Sequence, residues 1–242
     1  MNITADNGFF FGLGVFETIN VVDGKCLFLK KHIERLNTSL AYFKIDKSIF
    51  AEDISEYSVK NKLENGVLKI AVSAENTVFS TRRNPYVKNQ YENGFNLIFS
   101  DVLRNETSPF TYHKTLNCGD NIIEKQKAKN QGYDEAIFLN TQGEICEGAT
   151  TNIFFIKNSG IFTPAVNCGL LNGTIRQYLL EKYNLTEMII SPNIIEKFDE
   201  CFVTNSLMGI MPVAELKNHK FTHRDKTKEI MAEYQKTAKT FA

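Results

Sequence analysis

The sequence has few of the residues that build metal sites and disulfide frameworks. Its 242 residues include five cysteines, an odd number, and no two of them form a CxxC pair. The four histidines form neither an HExxH nor an HxH motif, and no zinc-type spacing occurs. These absences argue against a disulfide framework and against a metal site, and they favour free thiols in a reducing compartment.

The sequence also has no excess of charge and no long apolar run. Lys and Arg total 28, and Asp and Glu total 28, so the formal net charge is zero. General binders of nucleic acid or of anionic membranes are usually basic, so we expect neither as a partner. The apolar runs are too short to cross a bilayer, and the N-terminal residues do not have the pattern of a signal peptide. We therefore predict a cytoplasmic protein.

The sequence does contain a regular series of short strands and helices. Residues 15–29 predict a hairpin because two β-rich runs flank Asp23-Gly24. Residues 30–45 predict an amphipathic helix because their apolar residues are spaced three or four apart. The other predicted strands are 67–74, 77–82, 95–101 and several within 135–165 and 200–216, and the other predicted helices are 47–63, 120–132, 173–184 and 222–241.

This series predicts a mixed α/β protein of two domains. Residues 102–113 are polar, contain one proline and show no periodicity, as a connection between domains would. We predict a small N-terminal α/β domain over 1–103, a linker over 104–112 and a larger C-terminal domain over 113–242.

Lys114 is the first residue whose surroundings indicate chemistry. It lies between an extended, partly aromatic stretch and a predicted helix start. A lysine held in a water-poor site has a lowered pKa because desolvation penalises the ammonium, and its neutral amine can form a Schiff base with a carbonyl. An isolated lysine before a helix is more often an ordinary surface residue, so the rest of the sequence has to decide.

Three further segments carry groups that suit a phosphorylated aromatic ligand. NGTIRQ, 172–177, combines a glycine and a threonine at a helix start, where backbone N–H groups and the helix dipole attract phosphate. Glu147 lies between a strand and a turn of small residues, where a carboxylate can keep a ring nitrogen protonated. Arg35 lies on the first predicted helix and can pair with phosphate through two N–H groups. Taken singly, these residues also fit a turn, a solvated glutamate and a surface ion pair.

The four segments occur in the order and spacing of one family. The chain resembles the class IV, or fold-type IV, pyridoxal-phosphate enzymes. These include branched-chain aminotransferases, D-amino acid aminotransferases and 4-amino-4-deoxychorismate lyases. The resemblance runs from about Gly12 to Val213. It is carried by FGLGVFETINVVDGK, HIERLNTSL, HKTLN, EAIFLNTQGEICEGATTNIFFIK, NGTIRQ and NSLMGIMPV.

The resemblance implies a fold, a cofactor and a set of site residues. The fold is that of the D-amino acid aminotransferases, with two α/β domains, pyridoxal 5′-phosphate between them, and a homodimer whose partner closes the active site. Lys114 would be the Schiff-base lysine and proton shuttle, and Glu147 the partner of the pyridine nitrogen, which makes the ring a stronger electron sink. The implied cofactor-binding residues are Arg35, Lys114, Glu147, Thr150, Thr151, Gly173, Thr174, Ile175 and Ser206.

The resemblance favours one reaction without excluding a second. NSLMGIMPV is most like the 4-amino-4-deoxychorismate lyases, which release pyruvate and 4-aminobenzoate in folate biosynthesis. Phe16 replaces a tyrosine that several transaminating relatives use near the substrate carboxylate. NCGDNIIEKQKA is at least as close to the D-amino acid enzymes, so an aminotransferase acting on D-amino acids or branched-chain amino acids is the alternative. A non-catalytic module that binds pyridoxal phosphate is a third possibility.

The expected substrate is a small molecule with an amine and carboxylate groups, so the site needs cations. We predict Phe16, Arg82 and Arg83 as substrate-binding residues, although the two arginines also fit a solvated basic turn. Lys69 is a lone charge in an apolar strand, either an edge residue whose ammonium reaches water or a site residue.

The chain departs from the family at ADNG, 5–8, which relatives precede with one or two strands. This departure predicts either a minimal version of the fold or a reduced substrate wall.

Overall fold

A computed structural model describes residues 3–241 of the protein, with side chains through residue 238. The chain is mixed α/β, as predicted, and divides into two compact units. The first unit comprises the described residues up to Pro85, residues 113–118 and the residues from Thr237 onward. The second comprises residues 86–112 and 119–236.

The first unit is built on a four-stranded antiparallel sheet. Its helices and strands are α1 (Asn7–Phe11), β1 (Gly14–Val22), β2 (Lys25–Cys26), α2 (Leu29–Tyr42), α3 (Ala51–Lys60), β3 (Gly66–Ser73) and β4 (Thr77–Arg82). The order of the strands in the sheet is β2-β1-β3-β4. The predicted hairpin is confirmed, and both turn residues have positive φ, 49° at Asp23 and 77° at Gly24.

The two faces of this sheet differ in burial. Along β1, buried residues alternate with half-buried ones, because successive side chains of a strand point to opposite faces. Ile19 is fully buried on one face and belongs to a core cluster that includes Leu36 and Leu40 of α2. The opposite face bears Phe16, which is only half-buried. The hydrophobic pattern of β1 thus leaves one face of the sheet for function.

The second unit contains a nine-stranded mixed sheet. Its helices are α4 (Lys88–Asn93), α5 (Pro109–Tyr112), α6 (Gly119–Asn130), α7 (Thr174–Lys182) and most of α8 (Asp225–Phe241), up to residue 236, with 3-10 turns at Val166–Cys168 and Pro192–Lys197. Its strands are β5 (Phe95–Phe99), β6 (Glu135–Leu139), β7 (Ile145–Gly148), β8 (Asn152–Lys157), β9 (Gly160–Pro164), β10 (Leu185–Met188), β11 (Glu200–Asn205), β12 (Gly209–Leu216) and β13 (His219–Lys220). The order is β10-β9-β8-β11-β12-β5-β6-β7, and β13 pairs with β12.

The centre of the nine-stranded sheet is apolar on both faces. Five consecutive residues of β8 are buried, as expected of a strand covered on both sides. Phe154 on β8 and Phe202 on β11 are directly paired, and their rings stack with centroids 4.8 Å apart. Both side chains are fully buried. This apolar centre lies next to the strand ends and loops of the second unit that carry predicted site residues.

The predicted domain boundaries differ from the observed division. Residues 86–103 belong to the second unit because β5 pairs in parallel with both β12 and β6. Residues 113–118 belong to the first unit because they pair with β1. The predicted linker, 104–112, belongs to the second unit, where Arg104 bridges to Asn140 and residues 109–112 form α5. These strand pairings are distant in sequence, so local polarity could not reveal them.

Two further observations concern the cysteines and the helices. All five cysteines are free thiols in the structure. Between residues 3 and 241, no helix is both long enough and apolar enough to cross a membrane.

We expect buried Glu200 to stabilise the second unit through the first turn of α8. Its carboxylate accepts hydrogen bonds from the Lys226 and Thr227 backbone N–H groups, at 2.9 and 2.8 Å, and from the Thr227 hydroxyl at 2.7 Å. The amide of Glu200→Gln has only one acceptor oxygen, so it cannot accept all three hydrogen bonds. The substitution should therefore lower the free energy of unfolding by about 1–3 kcal/mol. Urea unfolding would measure this. Glu196→Gln, at an exposed position, should change little, and an equal loss in both variants would contradict the prediction.

Candidate active site

The segment around Lys114 is joined to β1 by backbone hydrogen bonds. The Phe16 N–H donates to the Lys114 carbonyl at 2.9 Å, and the Leu116 N–H donates to the Gly14 carbonyl at 2.8 Å. A Cβ at Gly14 would lie 2.6 Å from Leu116 Cδ1 and 2.8 Å from the Val72 carbonyl oxygen, so only glycine permits this approach. Lys114 is therefore held at a sheet edge and is not an ordinary surface lysine before a helix.

The side chain of Lys114 lies against the half-buried face of the sheet. Its Nζ atom is 4.4 Å from the centroid of the Phe16 ring, and the Nζ of Lys69 is 4.5 Å from the same centroid. Both distances suit cation–π contacts. The structure thus brings Lys114 and Phe16 together. Lys69 lies beside them, and its role as a site residue remains a prediction.

Helix α2 holds the residue that precedes the lysine. His113 Nδ1 is 2.9 Å from the Ser39 hydroxyl oxygen, and its ring stacks on Tyr42 with centroids 4.4 Å apart. Partial burial lowers the pKa of His113, which favours a neutral ring. The backbone at Lys114 is therefore held on both sides, by β1 and by α2.

Arg35 is oriented by a buried carboxylate that the sequence analysis missed. Its Nε and Nη2 atoms donate to the two oxygens of Glu17, each at 2.7 Å, and His32 Nδ1 lies 2.7 Å from Glu17 Oε2. Glu17 and His32 are each 1% exposed. Burial alone would raise the pKa of Glu17, but the Arg35 charge and the hydrogen bonds from both neighbours lower it to about 2. Burial also lowers the pKa of His32, so we infer a neutral ring that donates to the carboxylate.

Arg82 and Arg83 are both exposed. Arg82 pairs with Val67 at the end of β4, and the strand register places it on the same face as Lys69. The Arg82 Nη1 atom lies 3.5 Å from the Arg83 carbonyl oxygen. Their role in binding substrate remains a prediction.

In the second unit, Glu147 is buried and held at both carboxylate oxygens. Arg104 Nη2 donates to Oε1 at 3.1 Å, and the Leu171 N–H donates to Oε2 at 3.0 Å. The Arg104 guanidinium also donates to Asn121 Oδ1 at 3.3 Å and lies 4.1 Å from the Phe138 ring centroid. Glu147 is therefore a fixed, paired carboxylate and not a solvated turn residue.

The start of α7 and the loop after β11 meet within the second unit. The Thr174 and Ser206 hydroxyl oxygens are 2.9 Å apart. Gly173 precedes the helix, and a Cβ there would lie 2.3 Å from Asn152 Oδ1, which explains the glycine. The N–H groups of a first helical turn, here including Thr174 and Ile175, have no partner within their own helix. Together with the two hydroxyls they form a group of donors suited to an anion.

The two threonines after Glu147 have different environments. Thr150 donates its hydroxyl to Glu135 Oε2 at 2.6 Å, and its carbonyl accepts from Asn205 Nδ2 at 3.3 Å. Asn205 thereby links this turn to the loop that carries Ser206. The hydroxyl of Thr151 is buried and has no hydrogen-bond partner among the described residues.

Two site residues escaped sequence reasoning for different reasons. Glu17 did leave a signal, because it occupies an inward-facing position of an alternating strand, where a carboxylate needs a partner. Arg104 left none, because it lies in a polar segment without periodicity. Only the tertiary structure brings it to Glu147.

Comparison with known proteins identifies the family. The model of the family named Amino-transferase class IV matches residues 14–216, and the chain belongs to this family. Its members depend on pyridoxal 5′-phosphate. The resemblance stated from the motifs is thereby confirmed.

The most similar proteins include enzymes of two activities. An aminodeoxychorismate lyase of Bacillus subtilis is 25% identical, over 87% of this chain and 80% of its own length. A D-alanine aminotransferase of Staphylococcus aureus is 29% identical, over 87% of this chain and 82% of its own length. The solved structure of a protein from Legionella pneumophila, named a putative 4-amino-4-deoxychorismate lyase, has 30% identity and a TM-score of 0.85, covering 97% of this chain and 95% of that one. The fold-type IV prediction is confirmed.

The residues present fit the cofactor of the family. A carboxylate oxygen has two lone pairs, so Glu147 can accept a ring N–H in addition to its bonds from Arg104 and Leu171. The paired hydroxyls of Thr174 and Ser206 and the N–H groups at the start of α7 suit a phosphate. In the first unit, Glu17 holds the guanidinium of Arg35, and a guanidinium is a group suited to phosphate.

We expect Glu17 to stabilise the first unit in a pH-dependent way. Its pKa in the folded protein, about 2, lies below its ordinary value of 4.5. The stabilisation is therefore complete above pH 4.5 and is lost as the pH falls toward 2. At pH 7, Glu17→Gln should lower the free energy of unfolding by about 3 kcal/mol, and the difference from the wild type should shrink below pH 4.5.

Denaturant unfolding at several pH values between 3 and 7 would measure this difference. The matched control is Glu34→Gln, which removes the same charge from an exposed position on α2 and should change little. A difference between Glu17→Gln and the wild type that stayed constant from pH 7 to pH 3 would show that the carboxylate charge is not the stabilising feature.

Proposed function

We propose that this protein is a pyridoxal-phosphate-dependent 4-amino-4-deoxychorismate lyase that releases pyruvate and 4-aminobenzoate. The observation that carries the proposal is the setting of Phe16. Its ring has no hydroxyl, and two ammonium groups, from Lys69 and Lys114, lie within 4.5 Å of its centroid. The substrate of the lyase has two carboxylates, and a second cation beside the reactive lysine suits such a substrate. Similarity to a lyase over most of the chain supports the same conclusion.

The side chains of the first unit would bind the phosphate and move the proton. Arg35, held by Glu17, would donate to the phosphate of the cofactor. Lys114 would attach the cofactor covalently until the substrate amine takes its place. Its released amine would then remove the proton from the carbon that bears the substrate amine. Lys69 would attract a substrate carboxylate.

The side chains of the second unit would hold the ring and the phosphate. Glu147 would keep the pyridine nitrogen protonated, while Thr174 and Ser206 would donate their hydroxyls to the phosphate. When bound, pyridoxal phosphate supplies an electron sink for the electron pair left on the deprotonated carbon. Departure of the enolpyruvyl group as pyruvate leaves an aromatic product, and this aromatisation drives the reaction.

The alternative is an aminotransferase acting on D-amino acids or branched-chain amino acids. One observation favours it: the D-alanine aminotransferase of Staphylococcus aureus is 29% identical over a similar length. The same residues would serve, but Lys114 would return its proton to the C4′ carbon of the cofactor. These residues therefore cannot separate the two reactions.

We also propose that the protein is a cytoplasmic homodimer. The dimer is implied by the family resemblance, and the compartment by the free thiols and the balanced charge. Size-exclusion chromatography with light scattering would test the dimer, and a monomer at micromolar concentration would contradict it.

The lyase proposal is tested with purified protein, pyridoxal phosphate and freshly made 4-amino-4-deoxychorismate. We expect 4-aminobenzoate and pyruvate to appear in equal amounts and over many turnovers, because one substrate molecule yields one of each. Absence of both, from protein whose absorption spectrum shows covalently bound cofactor, would contradict the lyase. Half-reactions with D-alanine and with leucine would then test the aminotransferase.

We expect Lys114→Ala to lower turnover by at least about a hundredfold, because both the covalent attachment and the proton transfer depend on this amine. The absorption band of the covalently bound cofactor should also be lost. Lys60→Ala, which removes an exposed lysine from the end of α3, is the matched control. Full activity of Lys114→Ala would rule out both enzyme proposals. Loss of the band without loss of activity would rule out the assigned attachment.

A further inference from the structure

Arg104 links Glu147 to the helix and strand beside it. Its guanidinium donates to Glu147 Oε1 at 3.1 Å and to Asn121 Oδ1 at 3.3 Å, and it lies over the Phe138 ring. Asn121 in turn donates to the Ala149 carbonyl at 2.7 Å. Arg104 therefore holds the Glu147 side chain directly. Through Asn121 it is also linked to the backbone at Ala149, two residues later.

The backbone at Arg104 is anchored as well. Its N–H donates to the Leu139 carbonyl at 2.7 Å, and the residue forms an isolated parallel bridge with Asn140. The side chain of Arg104 is only 12% exposed. Arg104 is therefore fixed to the end of β6 and reaches the end of β7 from a defined position.

A buried carboxylate without a cation beside it is strongly disfavoured, and a cation beside it favours the charged form. A charged Glu147 favours a protonated ring nitrogen, because its negative charge offsets the positive charge of the ring, and a neutral carboxyl does not supply that charge. A planar guanidinium can donate to Glu147 and Asn121 at once, whereas the single ammonium of a lysine does not reproduce this geometry. A lysine at position 104 would therefore not replace the arginine fully, although it carries the same charge.

We propose that Arg104 is a positioning residue for Glu147, which keeps this carboxylate charged and aimed so that it binds the pyridine nitrogen of the cofactor. This inference rests on the proposed role of Glu147 and not on the identity of the substrate. Arg104 does not touch the reacting atoms in this proposal, and it acts only through Glu147.

The test is a double-mutant cycle with Arg104→Gln, Glu147→Gln and the double variant. The dissociation constant of pyridoxal phosphate is measured by titrating cofactor-free protein and following absorbance, and the absorption spectrum of the bound cofactor is recorded. We expect Arg104→Gln to weaken binding by about tenfold, within the range for side chains of one hydrogen-bond network. It should also shift the spectrum in the same direction as Glu147→Gln. The double variant should bind within about twofold of Glu147→Gln alone.

Two controls separate positioning from loss of structure. Arg224→Gln removes another arginine of the second unit, which holds the Glu92 and Asn93 carbonyls, and it should leave cofactor binding unchanged. Arg104→Lys keeps the charge but loses the double contact, so it should weaken binding by less than Arg104→Gln. Thermal unfolding of each variant shows whether it folds. If Arg104→Gln does not fold, cofactor binding is compared between Arg104→Lys and the wild type instead.

Three results would overturn the proposal. The first is additive losses of affinity in the double variant, which would mean that the two residues act independently. The second is wild-type affinity and spectrum in Arg104→Lys and in any folded Arg104→Gln. The third is a Glu147→Gln variant with an unchanged spectrum, since Glu147 would then not contact the ring. None of these measurements uses the lyase substrate, so a failure to form 4-aminobenzoate would leave this test intact.

Discussion

The pairing of residues 114–116 with the start of β1 is the constraint on which the candidate site depends. It brings a lysine from the middle of the chain to the edge of the N-terminal sheet, across a separation of almost a hundred residues. The approach is possible only because Gly14 has no side chain to meet Leu116 and the β3 backbone. The same backbone bonds set the position of Phe16, and with it the surroundings of Lys114. A single steric condition thus helps to determine where the side chain of Lys114 lies.

Buried charge pairs orient the polar residues of both units. Glu17 holds Arg35 in the first unit, and Arg104 holds Glu147 in the second. Burying a charged pair is seldom worth much stability compared with an apolar replacement, because desolvation offsets the attraction between the charges. Such pairs are therefore poor evidence for stability alone. Here each one fixes the direction of a group that the proposed function needs, which suggests that orientation is the reason for it.

The fold and the cofactor residues do not choose between the two reactions of this family. A lyase and an aminotransferase need the same lysine, the same carboxylate and the same phosphate donors, and they differ in where the last proton goes. The distinction must therefore arise from side chains that contact the substrate alone. Phe16 and Lys69 are the best placed of these in the first unit, since both lie beside Lys114. Function in this case depends on a few residues attached to a shared fold.

The sequence by itself determined much of the local structure and the family to which the chain belongs. Strand β4 begins and ends where its alternation predicted, and the Asp23-Gly24 hairpin and helix α2 formed as expected, because periodicity and turn chemistry act over a few residues. Family motifs also predicted the cofactor.

Only the tertiary structure decided which distant segments pair. It assigned β5 to the second unit and residues 113–118 to the first, against the predicted boundaries. It also brought Arg104 out of a featureless segment to Glu147, and Glu17 to Arg35. The physical reason is that strand pairing and buried ion pairs depend on contacts between residues far apart in the chain. A local pattern can show that a buried carboxylate such as Glu17 needs a partner, but it does not show which residue that partner is.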